Sequence, residues 1–247
     1  MNRNFIRDFF RRRRIERHVR AHGPVFSYHG LEVRVPPEIG RYALNSLIRG
    51  KYEPDEAAMI LKYLPSDLPV IELGGSLGVV SRLIRSRIGP DRRHLVVEAN
   101  ADLLDTCRAN ATADASPGAT ELIHKAVHYD APSVRFHVGV DVHSGAVGGG
   151  DGSGSVREVG AERFDAIVAR LPAGTPYSLV SDIEGAEYDI FERDREALAS
   201  AQVAIVEIHP QIYAARGGSE AQFLKLAEAA GFGLAERQAD VVVLTRS

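Results

Sequence analysis

The sequence predicts a doubly wound α/β fold with a mostly parallel sheet and an N-terminal helical extension. Three observations lead there. From about residue 67, short apolar runs alternate with stretches of helical period. A glycine turn, ELGGSLG at 72–78, follows the first apolar run and opens the first helix. An acidic residue, Glu98, closes the second run. Strands alternating with helices form a parallel sheet covered on both faces, and right-handed crossovers bring the strands' C-terminal ends to one edge.

Residues 1–50 read as a basic N-terminal helix and extension, and 51–247 as the main domain. The first twenty residues carry eight arginines against Asp8 and Glu16, a net of +6, which leaves −9 for the rest of a chain whose total is −3. Such a body lacks the basic face of a nucleic-acid-binding domain. Phe5, Ile6, Phe9 and Phe10 fall on one helical stripe. The preferred reading packs this stripe on the main domain and leaves the arginines solvated; peripheral contact with an anionic membrane surface is the alternative.

The segment Tyr52-Glu53-Pro54-Asp55-Glu56 starts a helix with Pro at its first position. Residues 69–74 read as a buried strand and 78–88 as a helix stopped by Gly89-Pro90. A strand over 94–98, a helix over 102–111 and a strand over 121–127 follow, with a further strand over 134–138. The glycine- and serine-rich stretch 139–160 cannot pack a core and reads as a mobile loop, either a lid beside the ligand edge or a plain insertion. The series resumes with a strand over 178–183, a helix over 186–198, a strand over 203–208 and a helix over 220–230 that stops at Gly231. Residues 233–237 and 241–245 form a closing hairpin, which makes one strand antiparallel to the rest.

Composition narrows the setting. No run of about 18 apolar residues indicates a transmembrane helix, and the basic start lacks the apolar core of a secretory signal. Cys107 is the single cysteine, which excludes an internal disulfide framework and a cysteine zinc site. It reads as a small buried hydrophobe. A cytoplasmic location fits these features.

Ligands of open α/β sheets bind at the carboxyl edge of the strands. There Gly74, Gly75 and Gly78 permit a tight turn, and the helix start offers free N–H groups. Glu98 can accept hydrogen bonds from both hydroxyls of a ribose. Together these describe a nucleoside-containing cofactor, NAD or S-adenosylmethionine. The dinucleotide fingerprint G-x-G-x-x-G is absent. Instead Gly74-Gly75-x-x-Gly78 follows acidic Glu72, which is unhelpful to a pyrophosphate and suits a cationic sulfonium-bearing amino acid. The only lysines are Lys51, Lys62, Lys125 and Lys225, and no Tyr-x-x-x-Lys pair exists. S-adenosylmethionine is favoured.

Further on, SDIEGAE at 181–187 and VEIHP at 206–210 end two successive strands. Adjacent strand ends could bring Asp182, Glu184 and His209 around one pocket. The same three could ligate a divalent ion; the preferred reading assigns no metal. His124 and His128 read as structural, because a strand and turn do not present them on one face.

The ordered set VIELGGSLG, VVEAN, HKAV, SDIEGAEYDIF and VEIHP resembles the FkbM-type S-adenosylmethionine-dependent methyltransferases over about residues 50–245. The D-x-E-G-x-E element is its most specific part. The resemblance implies a Rossmann-like, class I methyltransferase fold with a seven-stranded sheet. It implies O-methylation of a hydroxyl on a sugar, glycan or polyketide-type natural product. It also implies that Glu72, Gly74, Gly75, Ser76 and Gly78 hold the methionine part, that Glu98 and Asn100 hold the ribose, and that Lys125 and Ala126 lie beside the adenine. Asp182 and Glu184 would face the methyl donor and the acceptor, and His209 or one of these two carboxylates would take the acceptor's proton. Glu72 stands where aspartate is commoner, Ala99 for a common proline and Ser181 for a frequent lysine; these departures leave the acceptor open. Two other classes remain: a nicotinamide-dependent oxidoreductase, which would prefer NADH, and a catalytically silent binding module, which would bind cofactor weakly.

Overall fold

The computed structural model describes residues 3–38, 41–138, 146–147 and 155–246. The chain begins with helix α1 (Arg3–His22), a hairpin of β1 (Val25–Tyr28) and β2 (Leu31–Arg34), α2 (Arg41–Ile48) and α3 (Pro54–Tyr63). The first βα units follow: β3 (Val70–Leu73), α4 (Val79–Ile88), β4 (His94–Glu98), a short 3-10 turn and α5 (Leu104–Ala111), then β5 (Thr120–His124). A small sheet comes next, from β6 (Ala126–Val127), β7 (Ser133–Val138), β8 (Ala146–Val147) and β9 (Ser155–Glu162). The chain ends with α6 (Phe164–Val168), β10 (Tyr177–Ser181), α7 (Glu187–Arg193), α8 (Arg195–Leu198), β11 (Ala201–Glu207), α9 (Pro210–Ala215), α10 (Glu220–Ala229), β12 (Phe232–Gln238) and β13 (Val241–Arg246).

The main sheet has seven strands in the order β12-β13-β11-β10-β3-β4-β5. Strands β11, β10, β3, β4 and β5 run parallel. β13 is antiparallel to both of its neighbours. Every residue of β3, β4 and β10 is buried, as the centre of a two-sided parallel sheet requires. The strand order reverses between β3 and β10, so a crevice opens beyond their C-terminal ends. The sheet has the doubly wound, Rossmann-like arrangement that the sequence predicts. Alternate residues point to opposite faces: Val70 joins a core with Ile60, Leu83 and Val180, while Ile71 and Leu73 join Phe164, Ile190 and Phe223 on the other side. Ile15, Phe26, Val33 and Leu44 belong to the first of these cores, so the N-terminal extension and the sheet share one apolar interior. Among the described residues no helix is long and apolar enough to cross a membrane.

Three expectations need correction. The N-terminal helix does not pack through Phe9 and Phe10, which are 47% and 61% exposed. It packs through Arg11, Ile15 and His18, spaced i, i+4 and i+7, which lie nearly opposite Phe9 on the helix. The side chains of Phe5 and Ile6 lie outside the described residues. Next, 155–160 is strand, not loop. β9 pairs antiparallel with β7 and parallel with β6, and Val159 is buried with Val134, Phe136 and Ala126. Ladder pairing there outweighs a glycine- and serine-rich composition; residues 139–145 and 148–154, where a lid or a plain insertion was expected, lie outside the described residues. Finally, the 186–198 helix breaks at Asp194, whose carboxylate accepts from the Tyr129 hydroxyl at 2.6 Å and the Asp165 N–H at 3.1 Å.

Candidate functional site

The crevice at the strand-order reversal is a concave cleft, the usual form of a small-molecule site. Its walls come from four places: the α3 start (Tyr52, Glu53, Glu56), the turn after β3 (Gly74, Gly75, Ser76), the ends of β4 and β5 (Glu98, Asn100, Lys125, Ala126), and the segment after β10 (Asp182, Ile183, Glu184). Nine of the twelve expected site residues therefore line one space. Glu72, Gly78 and His209 do not.

The turn after β3 is held by backbone contacts. Gly74 has φ +91°, and a Cβ there would collide with the Asp182 carbonyl. At Gly78, φ +70°, a Cβ would fall 2.6 Å from the Cys107 carbonyl oxygen. Only glycine lets β3, β10 and α5 approach so closely. Three non-glycine residues lining the cleft, Glu53, Ser76 and Glu184, also have left-handed φ of 35°, 46° and 52°. Such residues cost about 1–3 kcal/mol each and cluster where function demands them.

Glu98 lies at the β4 end, 7% exposed. Its Oε2 accepts the Ser76 N–H at 2.6 Å and its Oε1 accepts the Asn100 N–H at 2.5 Å. Burial raises its pKa, and these backbone donors oppose the rise. One lone pair on each oxygen remains for a ligand hydroxyl. The Asn100 side chain caps the following turn by accepting from Asp102 N–H. The chain leaves the main sheet at Lys125, which explains why β5 ends at His124 and why Lys125 and Ala126 face the cleft. His124 Nε2 contacts the Ala99 carbonyl at 3.1 Å, a structural use.

Glu72 is committed elsewhere. It points to the α4 face of the sheet, where Oε1 accepts from Ser81 Oγ at 2.8 Å and Oε2 faces His94 Nε2 at 2.8 Å.

The acceptor side carries dense charge. Burial, then repulsion from Glu207, drives the Asp182 carboxyl well above its usual range, while His209 pulls it back. Glu184 is raised by burial, with His209 again opposing. His209 sits just behind them, with Nε2 3.6 Å from Asp182 Oδ1 and 3.5 Å from Glu184 Oε2. Its Nδ1 is 3.0 Å from Glu187 Oε1. Glu187 is fully buried and also accepts from the Tyr213 hydroxyl at 2.6 Å and the Gly185 N–H at 2.9 Å. Burial alone would lower the His209 pKa; the Glu187 hydrogen bond and the Asp182 and Glu184 charges outweigh it and raise the pKa to about 9. At neutral pH His209 is an imidazolium. It is thus not a free base but the cation that balances this corner. Donor atoms of Asp182, Glu207 and His209 all lie within 4.8 Å of one another.

Sequence reasoning overlooked the α3 wall. Glu56 is 6% exposed on a helix face that otherwise buries Ala57, Met59 and Ile60. Burial, then repulsion from Asp182, lifts its carboxyl well above the usual range. A glutamate on the apolar stripe of a helix was the available signal.

The methyltransferase FkbM domain profile matches residues 76–234, more than half of the chain. No curated protein matches the sequence. Among solved structures, an O-methyltransferase family protein from Burkholderia thailandensis is similar at 11% identity and a TM-score of 0.47, over 84% of this chain and 59% of that one. A protein of the NADB-Rossmann superfamily from Streptococcus agalactiae is similar at 9% identity and a TM-score of 0.44, over 78% and 68%. TrmN from Thermus thermophilus is similar at 13% identity and a TM-score of 0.39, over 78% and 48%. These likenesses are too distant to bear on the site, whereas the domain match runs from the cleft's first turn to the closing hairpin. The chain belongs to the FkbM methyltransferase family.

Proposed function

We propose that this protein transfers the methyl group of S-adenosylmethionine to a hydroxyl of a sugar, glycan or polyketide-type acceptor. One observation carries the reading: the glycine turn, the buried carboxylate of Glu98 and the Asp182–Glu184 pair line a single cleft. The residues present fit the cofactor. Gly74 and Gly75 carry the backbone along the cleft, and Glu98 retains acceptor capacity for a ribose. When bound, the cofactor supplies a methyl group already activated for in-line displacement.

The chain's own residues then have two tasks. The cleft walls hold the acceptor hydroxyl in line, and such positioning is worth roughly 7–11 kcal/mol. Asp182 takes the hydroxyl proton, a contribution of about 10²–10⁴-fold. Its raised pKa makes it a stronger base than an exposed aspartate, and the His209 imidazolium opposes the rise. Glu184 borders the same space and orients the acceptor. Calorimetric titration with S-adenosylmethionine and with NADH tests the cofactor. Methyl transfer from labelled cofactor to a panel of glycan and polyketide hydroxyls tests the acceptor. Tighter binding of NADH would overturn the reading in favour of an oxidoreductase, and failure to bind either would favour a silent module.

A further inference from the structure

We propose that the outward face of α1 docks on an anionic lipid bilayer. Among the described residues α1 meets the body along one stripe, which also takes in Arg14 and Val19. Ile15 is buried, the Arg11 guanidinium lies 4.1 Å from the Tyr42 ring centre, and His18 stacks on Phe26 at 4.4 Å. On the far side, Phe9, Arg13, Arg17 and Arg20 recur at i, i+4, i+8 and i+11, all exposed, with Phe10 beside them. Arg13 lies 5.3 Å over the Phe9 ring. Arg12, Arg17 and Arg20 make no ion pair among the described residues. Two phenylalanines left in water among unpaired arginines contribute nothing to the core.

The pattern of charge selects the occupant. The first twenty residues carry +6 and the remainder −9. An anionic surface attracts the helix and repels the body, so it is met by α1 alone. A nucleic-acid strand would need a basic path beyond one helix, and an acidic body offers none. A bilayer uses both parts of the face: guanidinium groups meet lipid phosphates while aromatic rings enter the headgroup boundary. The anchorage is firm. Phe26 and Tyr28 lie on one strand, and Tyr28 meets the ring of Tyr52, a cleft residue, edge-on at 6.0 Å.

Co-sedimentation of the full chain with vesicles tests this. The protein pellets with mixed phosphatidylglycerol–phosphatidylcholine vesicles at low salt, stays in solution with phosphatidylcholine alone, and is released as salt screens the contact. The exposed double variants Phe9→Ser/Phe10→Ser and Arg13→Glu/Arg17→Glu each weaken vesicle binding by about tenfold or more, with S-adenosylmethionine titration and thermal melting unchanged. Three outcomes overturn the proposal. Phe9→Ser/Phe10→Ser leaves vesicle binding intact while single-stranded DNA binds as tightly, which makes α1 a polyanion arm. The chain ignores vesicles and instead self-associates in sedimentation velocity through Phe9 and Phe10. Or neither vesicles nor DNA are bound.

Discussion

The two sides of the cleft are built by opposite means. On the β3–β4 side the fixed points are backbone atoms: Gly74 pressed against the Asp182 carbonyl, and the N–H groups of Ser76 and Asn100 held on Glu98. On the β10–β11 side they are charges, with Asp182, Glu184 and Glu187 arranged around one imidazole. The first side is set by shape and the second by protonation. Turnover should therefore depend on pH more steeply than cofactor binding does.

The sharpest way to break this division is Asp182→Asn. The amide keeps the shape and loses the base, so turnover falls by about 10³-fold while S-adenosylmethionine affinity stays near wild type. Initial rates at saturating cofactor, paired with calorimetry, separate the two quantities. Full activity would remove Asp182 from the chemistry. A parallel loss of cofactor affinity would mean that the two sides are not independent. Glu98→Ala attacks the other side. Two hydrogen bonds to a charged group are lost along with the ribose contact, and affinity for S-adenosylmethionine weakens by about 100-fold. Glu98→Gln guards against local collapse, since it keeps the side chain's volume, and it should lie between the two.

Glu187→Gln probes charge from behind the cleft, because Glu187 does not line it and its Oε1 faces His209 Nδ1. In the wild type the His209 pKa stands above its ordinary value. The stabilisation it gives is fully present below about 6.5 and is lost as pH rises through about 9. Melts of the wild type should therefore decline on that alkaline limb. Removing the Glu187 charge drops the imidazole toward its ordinary range. The decline then ends at lower pH and is smaller, and the alkaline arm of the rate profile moves down with it, with about tenfold loss of rate near pH 8. An unmoved profile would make Glu187 a purely structural acceptor for Tyr213 and Gly185.

What was legible in the sequence follows the same division. Strands with unbroken apolar runs, such as VIEL and HLVVE, announced their place at the centre of the sheet, and a turn built on backbone freedom announced itself through glycine. The cleft residues nearest those signals, from Gly74 to Glu98 and on to Asp182, could be placed for that reason. Partnerships across elements left little trace. Glu72 looked available until β4 supplied His94. His209 was one of three candidate bases, and nothing in the sequence showed that Glu187, Asp182 and Glu184 would all face it. The β1–β2 hairpin went unread although Tyr28-His29-Gly30-Leu31 holds a two-residue turn, with φ of 48° and 81° at its centre. Short strands give period-2 patterning too few repeats to stand out.

The smallest effect, and the most direct probe of charge at a distance, is at Glu56. Its carboxyl is buried against Asp182 and held well above the usual range, so in the folded state it stays protonated to higher pH than in the unfolded chain. Such a group costs stability once pH exceeds its unfolded value of about 4.5, because ionisation then favours the unfolded chain. Glu56→Gln has the shape of the protonated acid and no ionisation to lose. It should melt within about a degree of wild type near pH 4.5 and a few degrees above it near pH 8. The same variant relieves part of the repulsion on Asp182 wherever Glu56 would ionise, so the acidic arm of the rate profile should move slightly down in pH. A variant less stable than wild type at both pH values would instead mean that Glu56 is ionised and held by a partner, and the charge ordering across the cleft would have to be redrawn from that residue outward.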